Sequence, residues 1–173
     1  TGHFRLRSGL HSNRFFQAAL ALQHTRLASE LCGELAERVR QRDSAVDTVI
    51  APAIGGIVVG QEVGRSLGCR AIFAEKKSED ELVLRRGFRI ERGENVLVAE
   101  DVVTRGGRVE QTIRLVRQWG GVVSGVAVLV DRSGGTVDFG VPFDRLVALQ
   151  LETFQPERCP LCKSGDTAQK PGS

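Results

Sequence analysis

Tyrosine and methionine are absent from this chain, tryptophan occurs once, and eight phenylalanines bring the aromatic share to only 5%. That scarcity argues against a stacking platform for single-stranded nucleic acid, which needs an aromatic face for each base. No apolar run approaches the roughly 18–20 residues of a membrane-spanning helix, so an integral membrane protein is not expected. An excess of one charge is missing too: 24 basic against 21 acidic side chains leave a net charge of +3. Neither Gly-x4-Gly-Lys-Ser/Thr nor Gly-x-Gly-x-x-Gly occurs, so ATPase and dinucleotide-oxidoreductase readings lose their main support. No secretory leader is visible, and the chain starts at Thr1 rather than methionine, which leaves room for a missing N-terminal piece. What remains is 173 residues, 41% apolar and 26% charged. That is enough for one compact domain with a core of its own.

Cysteines number four. Cys32 and Cys69 sit among apolar residues and read as ordinary buried thiols. Cys159-Pro-Leu-Cys162 has the spacing of a metal or redox pair. A zinc site needs four ligands, however, and the sequence holds no second close pair and no His-x3-His. A redox Cys-x-x-Cys opens a helix, whereas this one lies in a Pro- and Gly-punctuated stretch. The expectation is therefore that the pair has no metal or redox role.

Organisation follows from periodicity. Residues 1–42 carry seven Arg against three Glu, and Leu27, Leu31, Leu35 and Val39 mark an amphipathic helix running to about Arg42, with Thr25 as its expected cap. The β-branched run at 48–52, the Gly55-Gly56 turn and a helical stretch to Leu67 open a βαβ unit. Residues 70–74 form a second strand. Residues 75–95 have no clean period and carry basic and acidic side chains in equal number, so they form a hairpin or a functional flap. Val96-Leu-Val-Ala99 is the clearest buried strand and runs into Glu100-Asp101, after which a Thr/Gly loop leads to a helix from Val109 to Trp119. A strand at 122–130 and a last one at 145–151 follow, then a tail with no core pattern. Alternating strands and helices predict an α/β fold with a mostly parallel, doubly wound sheet.

In such a sheet ligands bind beyond the carboxyl ends of the strands. Of three candidate loops, at 52–56, 100–108 and 131–135, the middle one is unusual. Its Thr104, Gly106 and Gly107 precede a helix, whose amides and dipole suit a phosphate. Two acids stand just before it, a pairing that makes sense for holding ribose hydroxyls or positioning Mg2+ on a polyphosphate.

The thirteen residues Val96-Leu-Val-Ala-Glu-Asp-Val-Val-Thr-Arg-Gly-Gly-Arg108 resemble the phosphoribosyl-pyrophosphate (PRPP) motif of type I phosphoribosyltransferases. Gly2-His-Phe-Arg-Leu-Arg-Ser-Gly9, with Ser12, Phe15 and Phe16 downstream, is similar to the opening of the orotate phosphoribosyltransferases, and Val130-Asp-Arg132 resembles their orotate-binding strand end. The resemblance implies transfer of the phosphoribosyl group of PRPP to orotate, giving orotidine 5′-monophosphate and pyrophosphate in pyrimidine biosynthesis, with Mg2+ as cofactor but no direct protein ligand assigned to it. It implies a cytoplasmic homodimer with shared active sites, a small N-terminal hood, a hairpin flap, and neither nucleic-acid nor membrane partners. The implied layout is a single domain at 1–155, with the base-binding opening at 1–24 and a mobile flap at 75–95, followed by a tail at 156–173.

Residue by residue, the resemblance implies that Glu100 and Asp101 contact the ribose hydroxyls and act in catalysis with Lys76. Val102, Val103, Thr104, Arg105, Gly106, Gly107 and Arg108 complete the PRPP loop, with Gly55 at the pyrophosphate. Thr104, Arg132, Phe15, Phe16 and Arg7 are implied at orotate, where an arginine fork suits the planar carboxylate. Taken alone, Phe15 and Phe16 fit core packing as well as a base contact. The chain departs from the family at three points. Gly55 replaces a lysine. Glu75, Glu79 and Glu81 replace basic flap positions. No histidine remains in the flap, where Arg85 and Arg86 offer positive charge instead. The competing readings are a transferase for a purine or uracil, a non-catalytic PRPP-binding regulator, and a degenerate binding protein.

Overall fold

The computed structural model describes residues 1–6 and 8–170. Two compact units divide the chain: Thr1–Gln17 with Gln150–Ser173, and Ala18–Leu149.

In the first unit, β1 (Phe4–Arg5) and β2 (His11–Ser12) pair antiparallel. The chain's far end joins them: Phe154 bridges antiparallel to His11, and Gln169 bridges parallel to Phe4. A 3-10 turn at Pro156–Arg158 and a one-turn helix at Pro160–Lys163 follow Phe154. Residues 156–170 are thus not the patternless tail the sequence suggested. Backbone pairing to the N-terminus orders them, a non-local term that periodicity does not register. The first unit takes in the chain up to Gln17 and from Gln150 onward.

The second unit begins with α1 (Ala18–Leu22) and α2 (Thr25–Arg40). His24, not Thr25, caps α2, with no side-chain bond from the cap; the first helical turn closes through the Ala28 amide on the His24 carbonyl at 2.9 Å. Next come β3 (Thr48–Pro52), α3 (Gly56–Leu67), β4 (Arg70–Lys76), β5 (Leu82–Val83), β6 (Asn95–Val103), α4 (Gly107–Gln118), β7 (Val122–Asp131) and β8 (Phe143–Ala148). The six-stranded sheet runs β5-β4-β3-β6-β7-β8, with every pairing parallel except β4 with β5. This is the expected α/β sheet.

Helices cover both faces, so the central strands are apolar throughout rather than alternating. Ile50, Val96, Val98, Val126 and Val128 pack with Val109, Ile113 and Val116 of α4. On α3, Gly60 and Gly64 lie one turn apart against Ala51 and Ala71, where an added Cβ would come within 2.8 and 2.9 Å of their methyl carbons. Each fully buried Val or Ile here contributes about 1.5–3 kcal/mol. Two arginines of the Arg-rich segment are tied to the sheet: Arg38 donates to the Arg145 carbonyl at 2.5 Å, and Arg42 pairs with Asp144 at 2.9 Å. β8 starts and ends earlier than the expected 145–151 because its register against β7 sets it, with Val126 opposite Phe143 and Asp131 opposite Ala148.

Candidate active site

Three loops leave the carboxyl ends of neighbouring strands β3, β6 and β7, as a doubly wound sheet requires of a ligand site. The turn after β3 contains a cis Ala53–Ile54 peptide and delivers Gly55 and Gly56 against the acids at the end of β6. A Cβ on Gly55 would lie 2.8 Å from Asp101 Oδ2, and one on Gly56 would lie 2.9 Å from Glu100 Oε1. Bare glycine is what lets the turn and the two carboxylates share this space.

The acids are held differently. Glu100 is only 7% exposed. Burial, with Asp101 beside it, raises its carboxyl well above the ordinary range, opposed weakly by Arg108. Its Oε1 accepts from the Asp101 amide at 3.1 Å. Asp101 is half-buried, and its Oδ1 accepts from the Val102 amide at 2.8 Å.

After Val102 (half-buried) and Val103 (buried), the chain turns through the exposed Thr104 and Arg105 into α4. Gly106 takes φ +80°, and a Cβ there would also sit 2.9 Å from the Phe139 ring, so two independent constraints demand glycine. Phe139 was missed from sequence; the glycine it requires was the one trace it left. Gly107 faces open space. The first turn of α4 has amides without a carbonyl of their own helix to reach, beside that opening. Arg108 donates to Gln111 at 2.8 Å, and Gln111 donates to the Glu79 carbonyl at 3.1 Å, tying α4 to the flap tip.

The 75–95 segment is a hairpin whose far arm is rooted in the core through Leu82 and Ile90. Lys76, at its base, is ion-paired with Glu79, and Lys77 with Glu81 at 3.0 Å. Arg86 pairs with Glu75 at 2.8 Å and stands 5.6 Å over the Phe73 ring. The acidic substitutions therefore partner cations of the same hairpin.

At the end of β7, Asp131 accepts from the Ser133 amide at 2.8 Å and from Arg145 at 3.2 Å. Arg132 follows, half-buried, its amide bound to the Val103 carbonyl at 2.8 Å. Its Nε is buried with no hydrogen-bond partner among the described residues, and burial lowers the guanidinium's pKa. Such a group calls for an anion.

The structure thus assembles Gly55, Glu100, Asp101 and the 102–108 loop. Phe15 and Phe16 lie in the first unit, both half-buried, with Phe15 stacked at a tilt 5.8 Å from Phe4. Arg7 lies outside the described residues.

The phosphoribosyl transferase domain family matches this chain over residues 19–150. The solved orotate phosphoribosyltransferase from Aeropyrum pernix superposes with a TM-score of 0.69 at 23% identity, over 86% of each chain. The adenine phosphoribosyltransferase from Rhodothermus marinus does so with a TM-score of 0.64, also at 23% identity, over 79% of this chain and 87% of that one. Sheet order, acid pair and glycine loops define a type I phosphoribosyltransferase fold. An orotate phosphoribosyltransferase from Pelotomaculum thermopropionicum is 52% identical over 173 residues, spanning 100% of this chain and 90% of its own length. Another, from Desulforamulus reducens, is 51% identical over 100% of this chain and 89% of its own. The chain belongs to the orotate phosphoribosyltransferase family.

Proposed function

We propose that the protein transfers the phosphoribosyl group of PRPP to orotate, releasing pyrophosphate and forming orotidine 5′-monophosphate for pyrimidine biosynthesis, as a cytoplasmic homodimer. The observation that carries this reading is the carboxylate pair Glu100 and Asp101, pressed on the Gly55-Gly56 turn and followed by the open start of α4.

With Asp101 Oδ1 engaged by the Val102 amide, Oδ2 is left to accept a ribose hydroxyl. Glu100 takes the other hydroxyl from a buried position, and the two acids sit where positive charge develops on the sugar as pyrophosphate leaves. The amides at the start of α4, with Thr104 and Arg105, hold the 5′-phosphate. Gly55 gives the pyrophosphate backbone amides in place of a side chain. Oxygen donors at Glu100 and Asp101 fit Mg2+, which binds through one or two carboxylates plus substrate oxygens and keeps several waters. When bound, it would supply positive charge to the pyrophosphate. Arg132, its Nε lacking a partner among the described residues, forks the orotate carboxylate. On the family resemblance, Phe15, Phe16 and Arg7 are assigned to the base, and Lys76 exchanges its Glu79 partner for pyrophosphate as the flap closes.

A panel of orotate, uracil, adenine, hypoxanthine and guanine with PRPP and Mg2+, read as pyrophosphate release, tests this. Turnover with orotate alone is expected. Turnover with another base instead overturns the base assignment, and no turnover with any base overturns the catalytic reading.

A further inference from the structure

The first unit has almost no hydrophobic interior. Its buried residues among those described are His3, His11, Ser12 and Cys159. A unit of about forty residues without an apolar core needs another source of stability, a disulfide or a metal. No disulfide is formed: Cys159 and Cys162 are both free thiols.

Three of those four buried residues carry metal-ligand side chains, and the exposed Cys162 joins them. One donor atom each from His3, His11, Cys159 and Cys162 lies within 4.8 Å of the others. His3 Nε2 is 3.0 Å from His11 Nδ1, 3.4 Å from Cys159 Sγ and 3.7 Å from Cys162 Sγ, while Cys162 Sγ is 3.3 Å from His11 Nδ1. A tetrahedral ion with Zn–N of about 2.0 Å and Zn–S of about 2.3 Å requires edges of roughly 3.3–3.8 Å. Hydrogen bonding alone explains the cluster poorly, because His3 Nε2 faces three partners and one ring N–H makes one directed bond. A central ion satisfies all four donors at once. On the other side of the ring, His3 Nδ1 is buried without a hydrogen-bond partner among the described residues and has Asp166 Oδ2 at 3.7 Å, the kind of carboxylate that accompanies a metal-bound imidazole.

We propose that His3 Nε2, His11 Nδ1, Cys159 Sγ and Cys162 Sγ bind one Zn2+ in a closed, four-ligand structural site that clasps the two ends of the chain. Both cysteines bind as thiolates, releasing two protons to solvent, so the charge of the ion is balanced within the site. Two nitrogen and two sulfur donors in a tetrahedral cluster select zinc over hard, oxygen-seeking cations. The site is separate in residues and chemistry from the Mg2+ and substrate groups at Glu100 and Asp101. It runs against the expectation, drawn from the missing third and fourth ligands, that the cysteine pair has no metal role. The missing ligands come from the opposite end of the chain, eight residues apart on the β1–β2 hairpin, a spacing that no local motif describes.

The test uses the full chain purified without a histidine tag. Elemental analysis is expected to give one zinc per chain. Cobalt added to the chelator-stripped protein should produce thiolate-to-cobalt charge-transfer bands and the intense visible bands of a tetrahedral site. C162S should weaken cobalt binding at least about 100-fold, while H11C should retain the metal and shift the bands toward three sulfur ligands. Chelation should cost hydrogen-exchange protection at residues 3–12 and 154–169 but not in β6. Less than about a tenth of an equivalent of zinc, together with no charge-transfer band in the wild-type chain, overturns the proposal. So does C162S binding cobalt as tightly as wild type.

Discussion

Replacing Gly55 with alanine adds one methyl group, and the structure specifies what that methyl would strike. Gly55 has φ −58° and ψ −42°, ordinary helical geometry that alanine adopts freely. Backbone conformation therefore gives no reason for glycine, and the substitution by itself would stabilise by about 0.4–1 kcal/mol through the unfolded chain. The cost lies in the site. The new Cβ would stand 2.8 Å from Asp101 Oδ2, against the 3.4 Å where ordinary contact begins. Asp101 must retreat by about 0.6 Å and strain its 2.8 Å bond from the Val102 amide. Misplacing a positioned group by about 1 Å costs on the order of 100-fold, so a displacement of this size predicts about a tenfold fall in kcat/KM for PRPP. Stability should change by less than about 1 kcal/mol, a shift of about 2–4 °C in Tm. G60A is the contrasting variant. Its Cβ would meet the Ala51 Cβ at 2.8 Å, and its nearest atoms are all of Ala51 rather than of a carboxylate, so it should lose about 1–3 kcal/mol of stability and change the kinetics of the folded enzyme less than G55A does. Pyrophosphate-release kinetics and thermal unfolding of both variants decide the matter. Wild-type kcat/KM in a folded G55A would refute the placement of Asp101 at the reacting sugar.

Glu100, whose carboxyl is raised by burial, destabilises the native state as pH climbs above the unfolded value near 4.5, because the unfolded chain ionises first. E100Q should therefore have a higher Tm than wild type at pH 7–8, a gain that vanishes towards pH 4, while turnover falls at least about tenfold; a Tm gain that does not depend on pH contradicts the reasoning. R132K keeps the charge but loses the fork, so KM for orotate should rise roughly 10–100-fold with KM for PRPP little changed. An unaltered orotate KM would remove Arg132 from the base site.

Much of the second unit was legible because its determinants are local or strongly repetitive. Val96-Leu-Val-Ala99 reads as a strand since a parallel strand covered on both faces must be apolar at every position. The loop at 104–108 was legible because the left-handed turn at Gly106 demands a particular residue. The cap of α2 was misread because Thr25 is a good capping type, while the backbone bond from the Ala28 amide to the His24 carbonyl already puts Thr25 inside the first turn. The ends of β8 were misplaced because pairing with β7, not propensity, sets them. In the hairpin the acids looked like losses of function; the structure shows Glu75, Glu79 and Glu81 paired with neighbouring cations.

Composition and periodicity were by themselves enough for an α/β sheet, and the resemblance of the stretch from Val96 to Arg108 to a known motif was enough for the phosphoribosyltransferase family. Those signals lie within short stretches of chain, where residue type and spacing dictate geometry. Only the tertiary structure could decide how the termini fold. His3 and His11 meet Cys159 and Cys162 across about 150 residues, and the contacts that bring them together are strand bridges from Phe4 to Gln169 and from His11 to Phe154. Backbone hydrogen bonds of that kind carry no side-chain signature, so a sequence can encode the ligands of a site while leaving no local trace that they share it.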